Sequence, residues 1–252
     1  MRTKIAKFKA LLLAIALVGL PYSAFARDWV YESEGQKYQG YVVNKGSKAP
    51  VVLLIHDWDG VGSYEIKRAK MLGKLGYSVF VVDLFGQGVR PTEDKDKKQH
   101  TGALYADREK MRRLLNAGIA EAAKLKLNTQ NLVVMGYCFG GAAALEFARS
   151  GVAANGFVSF HGGLETPEGQ SYNETKGSIL VFHGTADTAI TMDQFADLAK
   201  RLEGAKIPHE MTTYGGAPHA FTVFDSPNYR KDADEKSWAK FVAFLREKKS
   251  AR

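Results

Sequence analysis

The sequence contains one cysteine, and its neighbours suggest chemistry. Cys138 stands at the centre of Gly136-Tyr137-Cys138-Phe139-Gly140, between an apolar run and an alanine-rich run. A G-x-C-x-G pattern at a strand-to-helix turn is typical of a nucleophile elbow, where a strained backbone exposes the nucleophile and only glycine fits beside it. The positive end of the following helix favours a thiolate. The other interpretation is a glycine-rich turn with an incidental buried cysteine.

A nucleophilic thiol needs a base, and the base needs a group that orients it. On a strand-helix scaffold with such an elbow, the acid and then the histidine follow the nucleophile along the chain. Asp187 lies in "LVFHGTADTAI" after a predicted strand, and His219 lies in "YGGAPHAF" after the next. The sequence therefore predicts a triad of Cys138, Asp187 and His219, with the imidazole as base and the carboxylate fixing its tautomer.

Five other histidines compete for the role of base. His100 lies in a predicted charged loop, and His209 precedes the last predicted strand, at its wrong end. His161 and His183 lie near strand ends, where a histidine is more often a hydrogen-bonded loop residue. His56 also competes, but it precedes Cys138 in the chain.

Attack on a carbonyl also needs donors for the oxyanion. On this scaffold one donor is the backbone N–H after the nucleophile, here Phe139, and the other follows an early strand. The segment "IHDWDG" predicts Trp58 as the second donor.

The elements that must position these residues alternate along the chain. "WVYES" and "KYQGYVV" predict an antiparallel hairpin around Gly35. Continuous apolar runs such as "APVVLLIHD" predict buried parallel strands, and helices are predicted at Glu65–Leu75, Ala106–Leu127, Met192–Leu202 and Glu235–Phe244. Alternation from Val51 onward predicts an α/β fold, a mostly parallel doubly wound sheet with the antiparallel N-terminal hairpin at its edge. With no Pro/Gly/Ser linker, residues 27–252 are interpreted as a single domain.

The first 26 residues have the layout of a secretory signal peptide: a basic start, an apolar core too short to span a bilayer, and small residues at Ala24 and Ala26. Cleavage after Ala26 is predicted, with an uncleaved anchor as the alternative. We therefore expect export, to a bacterial periplasm, and no membrane association after cleavage. A single cysteine cannot form an internal disulfide there, so it is buried and inert or is retained as a free thiol with a role.

Charge gives little reason to expect a nucleic-acid partner. Removing the four basic residues of the leader lowers the formal net charge from +8 to +4, and the "EDKDKKQH" run mixes acids with its lysines. A solvated surface explains both, and no nucleic-acid motif accompanies them.

Taken together, "HDWDGVGSYEIKRAKMLGKLGYSVFVVDLFGQG", "GYCFGG", "HGTADTAI" and "GAPHAF" resemble, in this order, the dienelactone hydrolase family of α/β-hydrolases. The resemblance covers about Tyr38 to Leu245. It implies an α/β-hydrolase fold, a Cys138–Asp187–His219 triad and oxyanion donors at Trp58 and Phe139. A family glutamate that takes the thiol proton matches Asp57, which is one methylene shorter; the alternative role for Asp57 is to cap loop N–H groups.

The resemblance has a second departure. Members that act on dienelactones bind the substrate carboxylate with arginines, one of them shortly after the catalytic histidine, where this chain has Val223. Arg68, Arg90 or a lysine of residues 93–98 could substitute. Five aromatic residues could line an apolar pocket or belong to the core: Trp58, Phe85, Tyr105, Phe139 and Phe221.

The sequence thus predicts an exported hydrolase of small carboxylic esters or lactones that works through a thioester on Cys138. No cofactor or metal is expected, and the partner is a small-molecule substrate, with a monomer favoured. The alternatives are a thioesterase or peptidase on the same scaffold, and a non-enzymatic binding protein with a redox-sensitive thiol.

Overall fold

The computed structural model describes residues 24–250. The strands of this part of the chain are β1 (Phe25–Ser33), β2 (Gln36–Asn44), β3 (Pro50–Ile55), β4 (Ser78–Val82), β5 (Asn128–Tyr137), β6 (Ala153–Phe160), β7 (Lys176–Gly184) and β8 (His209–Tyr214). Its helices are α1 (Ser63–Lys74), α2 (Asp94–Ala106), α3 (Arg108–Lys124), α4 (Phe139–Arg149), α5 (Met192–Gly204) and α6 (Lys231–Ser250).

All eight strands join one sheet in the order β1-β2-β4-β3-β5-β6-β7-β8. From β4 to β8 every neighbouring pair is parallel. The β1–β2 hairpin is antiparallel, and β2 pairs antiparallel with β4, so the hairpin closes one edge. The predicted fold class is confirmed, including the edge hairpin, which turns at Glu34 and Gly35 with positive φ angles.

Two hydrophobic cores cover the two faces of this sheet, because alternate residues of a strand point to opposite faces. On one face Leu53 and Val134 pack with residues of α3 and α4. On the other, Val52 and Met135 pack with residues of α1 and α6. Helices on both faces bury both sides of the central strands, which explains why those strands are continuously apolar.

Parallel strands bring their carboxyl ends to one edge of the sheet. Cys138 follows β5, Asp187 lies after β7, and His219 lies after β8. The three predicted triad residues therefore come from loops at the same edge, where α/β proteins bind their ligands.

The helix predicted over Ala106–Leu127 is α3, and Asp107, with a φ of −118° and a ψ of 77°, separates it from α2. The Asp107 side chain then caps α3 by accepting the Lys110 N–H at 2.8 Å. The charged run expected to be a loop forms α2, so His100 is a helical residue and the prediction of a charged loop there is wrong.

The predicted signal peptide lies almost entirely outside the described residues, and β1 begins at Phe25, two residues before the predicted cleavage point. Its presence and removal stay predictions. Between residues 24 and 250 no helix combines the length and the apolar character that a membrane crossing requires.

Candidate active site

The turn between β5 and α4 places Cys138 in a strained conformation. Its φ is 50° and its ψ is −116°, a combination that side-chain-bearing residues rarely adopt. A Cβ on Gly136 would lie 2.1 Å from the Gly140 carbonyl oxygen, and one on Gly140 would lie 2.3 Å from that of Ile55. Both glycines are therefore required by the close approach of β3, β5 and α4, as the sequence pattern predicted. The Cys138 side chain is half-buried.

The structure brings Cys138, His219 and Asp187 into one hydrogen-bonded row. His219 Nε2 lies 3.1 Å from Cys138 Sγ, and His219 Nδ1 lies 2.7 Å from Asp187 Oδ2. The other oxygen, Oδ1, accepts the N–H groups of Ala189 and Ile190, each at 2.9 Å. These bonds hold the carboxylate in place, and its contact with Nδ1 leaves Nε2 turned towards the sulfur.

The electrostatics of this row favour a charged imidazole. Burial opposes the imidazolium, but the hydrogen bonds to Asp187 and Cys138 raise the pKa of His219 to about 10. Burial opposes the carboxylate in the same way, yet the bond to His219 and the two backbone N–H groups lower the pKa of Asp187 below its ordinary value. The pair is therefore arranged to hold a proton on the ring next to the sulfur.

A buried network supports the loop that carries His219. The Thr222 hydroxyl lies 2.7 Å from the Tyr64 hydroxyl and 2.8 Å from His161 Nε2. Arg68 donates to the Thr222 carbonyl at 2.9 Å and pairs with Asp234. The His161 ring centroid lies 5.4 Å from that of His219. Sequence reasoning missed this network, because its members are far apart in the chain and no local pattern shows that they meet.

Two backbone N–H groups, one at the elbow and one in the adjoining loop after β3, have no hydrogen-bond acceptor among residues 24–250. Phe139 is the first residue of α4, where an N–H has no partner within the helix. Trp58 lies in the loop after β3, and no bond in the described part of the chain uses its N–H. These are the two predicted oxyanion donors. Gly140 packs against the carbonyls of Ile55 and His56, so this loop adjoins the elbow.

Asp57 lies in the same loop, and its carboxylate accepts a hydrogen bond from within that loop. Its Oδ1 accepts the Asp59 N–H at 2.8 Å, and no hydrogen bond joins it to Cys138 in the part of the chain described. Burial raises the pKa of Asp57 to about 6, and burial together with the nearby Asp57 carboxylate raises the pKa of Glu65 to about 8. The contacts thus match the capping alternative, and a role for Asp57 in thiol activation stays a prediction.

Helix α2 covers the oxyanion side of the site. The Lys97 ammonium lies 4.8 Å from the centre of the Trp58 ring, and His100 stacks on Phe85 at 5.1 Å. Tyr105 meets Phe139 edge to face at 5.4 Å.

Beside α4 lies a pocket of 390 Å³ with both apolar and charged walls, lined by Tyr105, Arg108, Ala142, Arg149, Gly163, Leu164, Glu165, Ile190 and Gln194. A larger groove of 630 Å³ between β8 and α6 contains none of the triad residues.

Several residues considered from sequence serve other purposes. Phe221 is fully buried against Tyr214 and His161, in a different core from Phe85 and Phe139, so the core alternative describes this residue. Arg68 is buried on Asp234, and Lys97 pairs with Asp59 at 2.9 Å.

Arg90 donates to backbone carbonyls, including those of Val61 and Gln39. His183 lies within β7, and neither of its ring nitrogens has a partner within residues 24–250, so it is not the hydrogen-bonded loop residue that was expected. Over the same residues, no group of three or more His, Cys, Asp or Glu side chains is placed to hold a metal ion.

Comparison with known proteins places this fold and site in a family. The dienelactone hydrolase family model matches residues 38–249, and the chain belongs to that family. Among solved structures, a dienelactone hydrolase-like promiscuous phosphotriesterase from metagenomic libraries superposes with a TM-score of 0.81 and 25% identity, covering 89% of this chain and 99% of its own.

Two curated relatives carry provisional enzyme names. A Bradyrhizobium sp protein named a 2-oxo-3-(5-oxofuran-2-ylidene)propanoate lactonase is 25% identical over 237 residues, 88% of this chain and 94% of its own. A Saccharolobus solfataricus protein named a carboxymethylenebutenolidase is 23% identical over 254 residues, 87% of this chain and 98% of its own. The chain is therefore a dienelactone hydrolase-like enzyme, a hydrolase that acts on ester bonds.

Proposed function

We propose that this protein hydrolyses small carboxylic esters or lactones through a Cys138–Asp187–His219 triad and a thioester intermediate. The observation that carries the proposal is the hydrogen-bonded row from Asp187 through His219 to the sulfur of a cysteine in a strained turn. The provisional lactonase and carboxymethylenebutenolidase names of the relatives support the substrate class.

In the first half of the reaction, His219 Nε2 holds the proton of the thiol, as the raised pKa of the imidazole favours, and Sγ attacks the carbonyl carbon as a thiolate. The oxygen becomes an oxyanion that accepts the N–H groups of Trp58 and Phe139. The carbonyl then re-forms, the C–O bond to the leaving group breaks, and the imidazolium gives its proton to the departing oxygen. The acyl group remains on Cys138 as a thioester; from a lactone, the alcohol stays attached to it.

In the second half, a water molecule attacks the thioester carbonyl and His219 takes its proton. The tetrahedral oxyanion again lies against Trp58 and Phe139, and its collapse breaks the C–S bond. The proton on His219 returns to the sulfur, and the carboxylic acid leaves. Asp187 holds the ring in position and stabilises its charged form throughout.

The direct test compares wild type with Cys138→Ala on short p-nitrophenyl esters and lactones. We expect hydrolysis to fall by several orders of magnitude. Equal rates in the two proteins would remove the assignment of Cys138. A panel that adds thioesters, peptides and phosphotriesters then separates the esterase from a thioesterase or peptidase, since each predicts a different preferred substrate.

A labelling experiment separates the triad from a non-enzymatic thiol. In a triad, alkylation of Cys138 by iodoacetamide is fast and slows when His219→Ala removes the imidazole. A redox-sensitive thiol on a binding scaffold predicts slow alkylation that does not depend on His219.

Export is the other part of the proposal, and it is supported by the composition of residues 1–26 alone. We expect the full-length gene product, expressed in a bacterium, to reach the periplasmic fraction with Arg27 as its first residue. N-terminal sequencing of that fraction checks this. A cytoplasmic protein that retains its leader would contradict it.

A further inference from the structure

The peptide bond between Asp57 and Trp58 is held from behind by a buried histidine. His56 Nδ1 donates to the Asp57 carbonyl oxygen at 2.6 Å, and His56 Nε2 accepts the Leu84 N–H at 3.1 Å. Since a backbone N–H can only donate, Nε2 must be unprotonated, and the proton must be on Nδ1. Burial also lowers the pKa of His56, so the ring is neutral.

Because the peptide bond is trans, the contact between His56 and the Asp57 carbonyl also determines where the Trp58 N–H points. The carbonyl and the N–H of one trans peptide point in opposite directions. With the Asp57 carbonyl turned towards His56, the Trp58 N–H must point away from the imidazole. It is the N–H that has no acceptor in the described part of the chain.

A second buried side chain holds the preceding peptide group. Glu65 Oε2 accepts the Gly62 N–H at 2.9 Å, and its Oε1 receives the Asp57 N–H at 3.4 Å. The Asp59 N–H is used by the Asp57 side chain. The loop is thus fixed at the N–H groups on both sides of Trp58, while no described residue accepts the Trp58 N–H itself.

We propose that His56 and Glu65 are positioning residues that set the plane of the Asp57–Trp58 peptide and so aim the Trp58 N–H at the oxyanion. This inference rests on the proposed function, because it assumes that an oxyanion forms beside Cys138. His56 acts through the peptide and does not touch the substrate. A positioning role of this kind should appear in kcat, since the oxyanion exists only after attack.

The test replaces His56 with two amide side chains, each of which retains one of the two hydrogen-bonding positions of the imidazole. His56→Asn keeps a donor near the Nδ1 position, and His56→Gln keeps an acceptor near Nε2 but loses the donor to the Asp57 carbonyl. We expect His56→Gln to lower kcat for p-nitrophenyl acetate by about 100-fold with little change in KM, the cost typical of a lost oxyanion donor. His56→Asn should restore most of this loss, and Glu65→Gln should lower kcat by a smaller factor.

Alkylation of Cys138 by iodoacetamide forms no oxyanion and serves as the internal reference. We expect wild type and His56→Gln to be alkylated at the same rate. The control is His209→Gln, which removes a similar bond to a backbone carbonyl, that of Ile207 at 2.7 Å, at the start of β8. It should leave kcat unchanged.

Two results would overturn the inference. Unchanged kcat in His56→Gln would show that the peptide does not need the histidine, and an equal loss of hydrolysis and alkylation would show general damage to the site. If His56→Gln does not fold, as judged by thermal melting, Glu65→Gln decides by the same two readouts. Failure of the proposed function is recognised separately, because Cys138→Ala would then keep its hydrolysis.

Discussion

Buried carboxylates occur on two sides of this molecule, and their surroundings differ sharply. Glu146, two turns into α4, is fully buried but contacts Arg108, Arg112 and Arg149 at 2.6–2.9 Å. These arginines outweigh the cost of burial and lower the pKa of Glu146. Asp57 and Glu65, beside the elbow, are also buried but have no arginine partner among residues 24–250, and the pKa of each is raised.

The comparison shows that burial alone does not set the charge of a carboxylate. Glu146, surrounded by guanidinium groups, links α4 to α3 through its ion pairs, and these pairs require the ionised carboxylate. A buried acid whose partners are backbone N–H groups has a pKa close to neutral pH, as Asp57 and Glu65 do. Carboxyl groups with such raised pKa values are found more often at functional sites than in structural clusters. Replacing each acid with its amide, which keeps the shape and removes the charge, tests this division.

The largest effect is expected at Asp187, whose charge is used by His219. Asp187→Asn should lower kcat on the order of 10⁴-fold, because an amide neither fixes the correct tautomer nor stabilises the imidazolium. The pKa of His219 should fall. In wild type the stability from the charged ring is fully present below about pH 6.5 and is lost as pH rises towards 10.

The pH dependence can be followed by urea unfolding between pH 6 and 10. Wild type should lose stability across this range, and the loss in Asp187→Asn should be smaller and should begin at lower pH. A variant whose kcat stays within tenfold of wild type would show that the ring is oriented without the carboxylate.

The next effect is expected at Glu146 and concerns stability. Glu146→Gln leaves three arginines around a neutral group and should lower the free energy of unfolding by about 3 kcal/mol. The kcat of the folded fraction should stay near that of wild type. Glu109→Gln is the matched control: Glu109 pairs with Arg112 at 3.0 Å but is 71% exposed, and surface pairs contribute little. Similar losses in both variants would remove the distinction between buried and exposed partners.

The last effect, which has the opposite sign, is expected at Asp57. A carboxyl whose pKa is raised to about 6 costs the folded state stability as pH rises from about 4 through 6. Asp57→Asn removes this cost and should stabilise the protein by up to about 3 kcal/mol at pH 8, with little gain at pH 4. Urea unfolding at the two pH values measures the difference. Destabilisation at both would mean that the charge of Asp57 is stabilising.

The same variant addresses the open role of Asp57 in catalysis. A loss of kcat together with a gain in stability would identify a carboxylate retained for activity at a cost to the fold. Unchanged kcat would leave Asp57 as the cap of the Asp59 N–H.

The elements that could be predicted from sequence are those whose pattern is local. The apolar run of β3, the glycines around Cys138 and the order of Cys138, Asp187 and His219 each carry their own signal. Helix α2 could not be found this way, because only Thr101 and Leu104 of its 13 residues are buried and its charges hide the helical period. Its existence depends on contacts with Trp58, Phe85 and Phe139, which are distant in the chain.

The supporting parts of the site were missed for a related reason. His56 and Glu65 act through backbone atoms of a loop, and a sequence shows neither the direction of a carbonyl nor the tautomer of an imidazole. Thr222 joins His161 to Tyr64 only after β6, α1 and the loop after β8 have come together. Such side chains become recognisable once the backbone that they hold is known.

Because Cys138 lies in a strained turn, its alkylation rate also reports whether the active site is assembled. The φ of 50° exists only while β3, β5 and α4 are packed around the turn, and the chain has no second thiol to obscure the signal. We expect fast alkylation from assembled molecules and the slow rate of an ordinary thiol from unfolded ones. The amplitude of the fast phase would therefore count competent active sites in any preparation, without knowledge of the natural substrate.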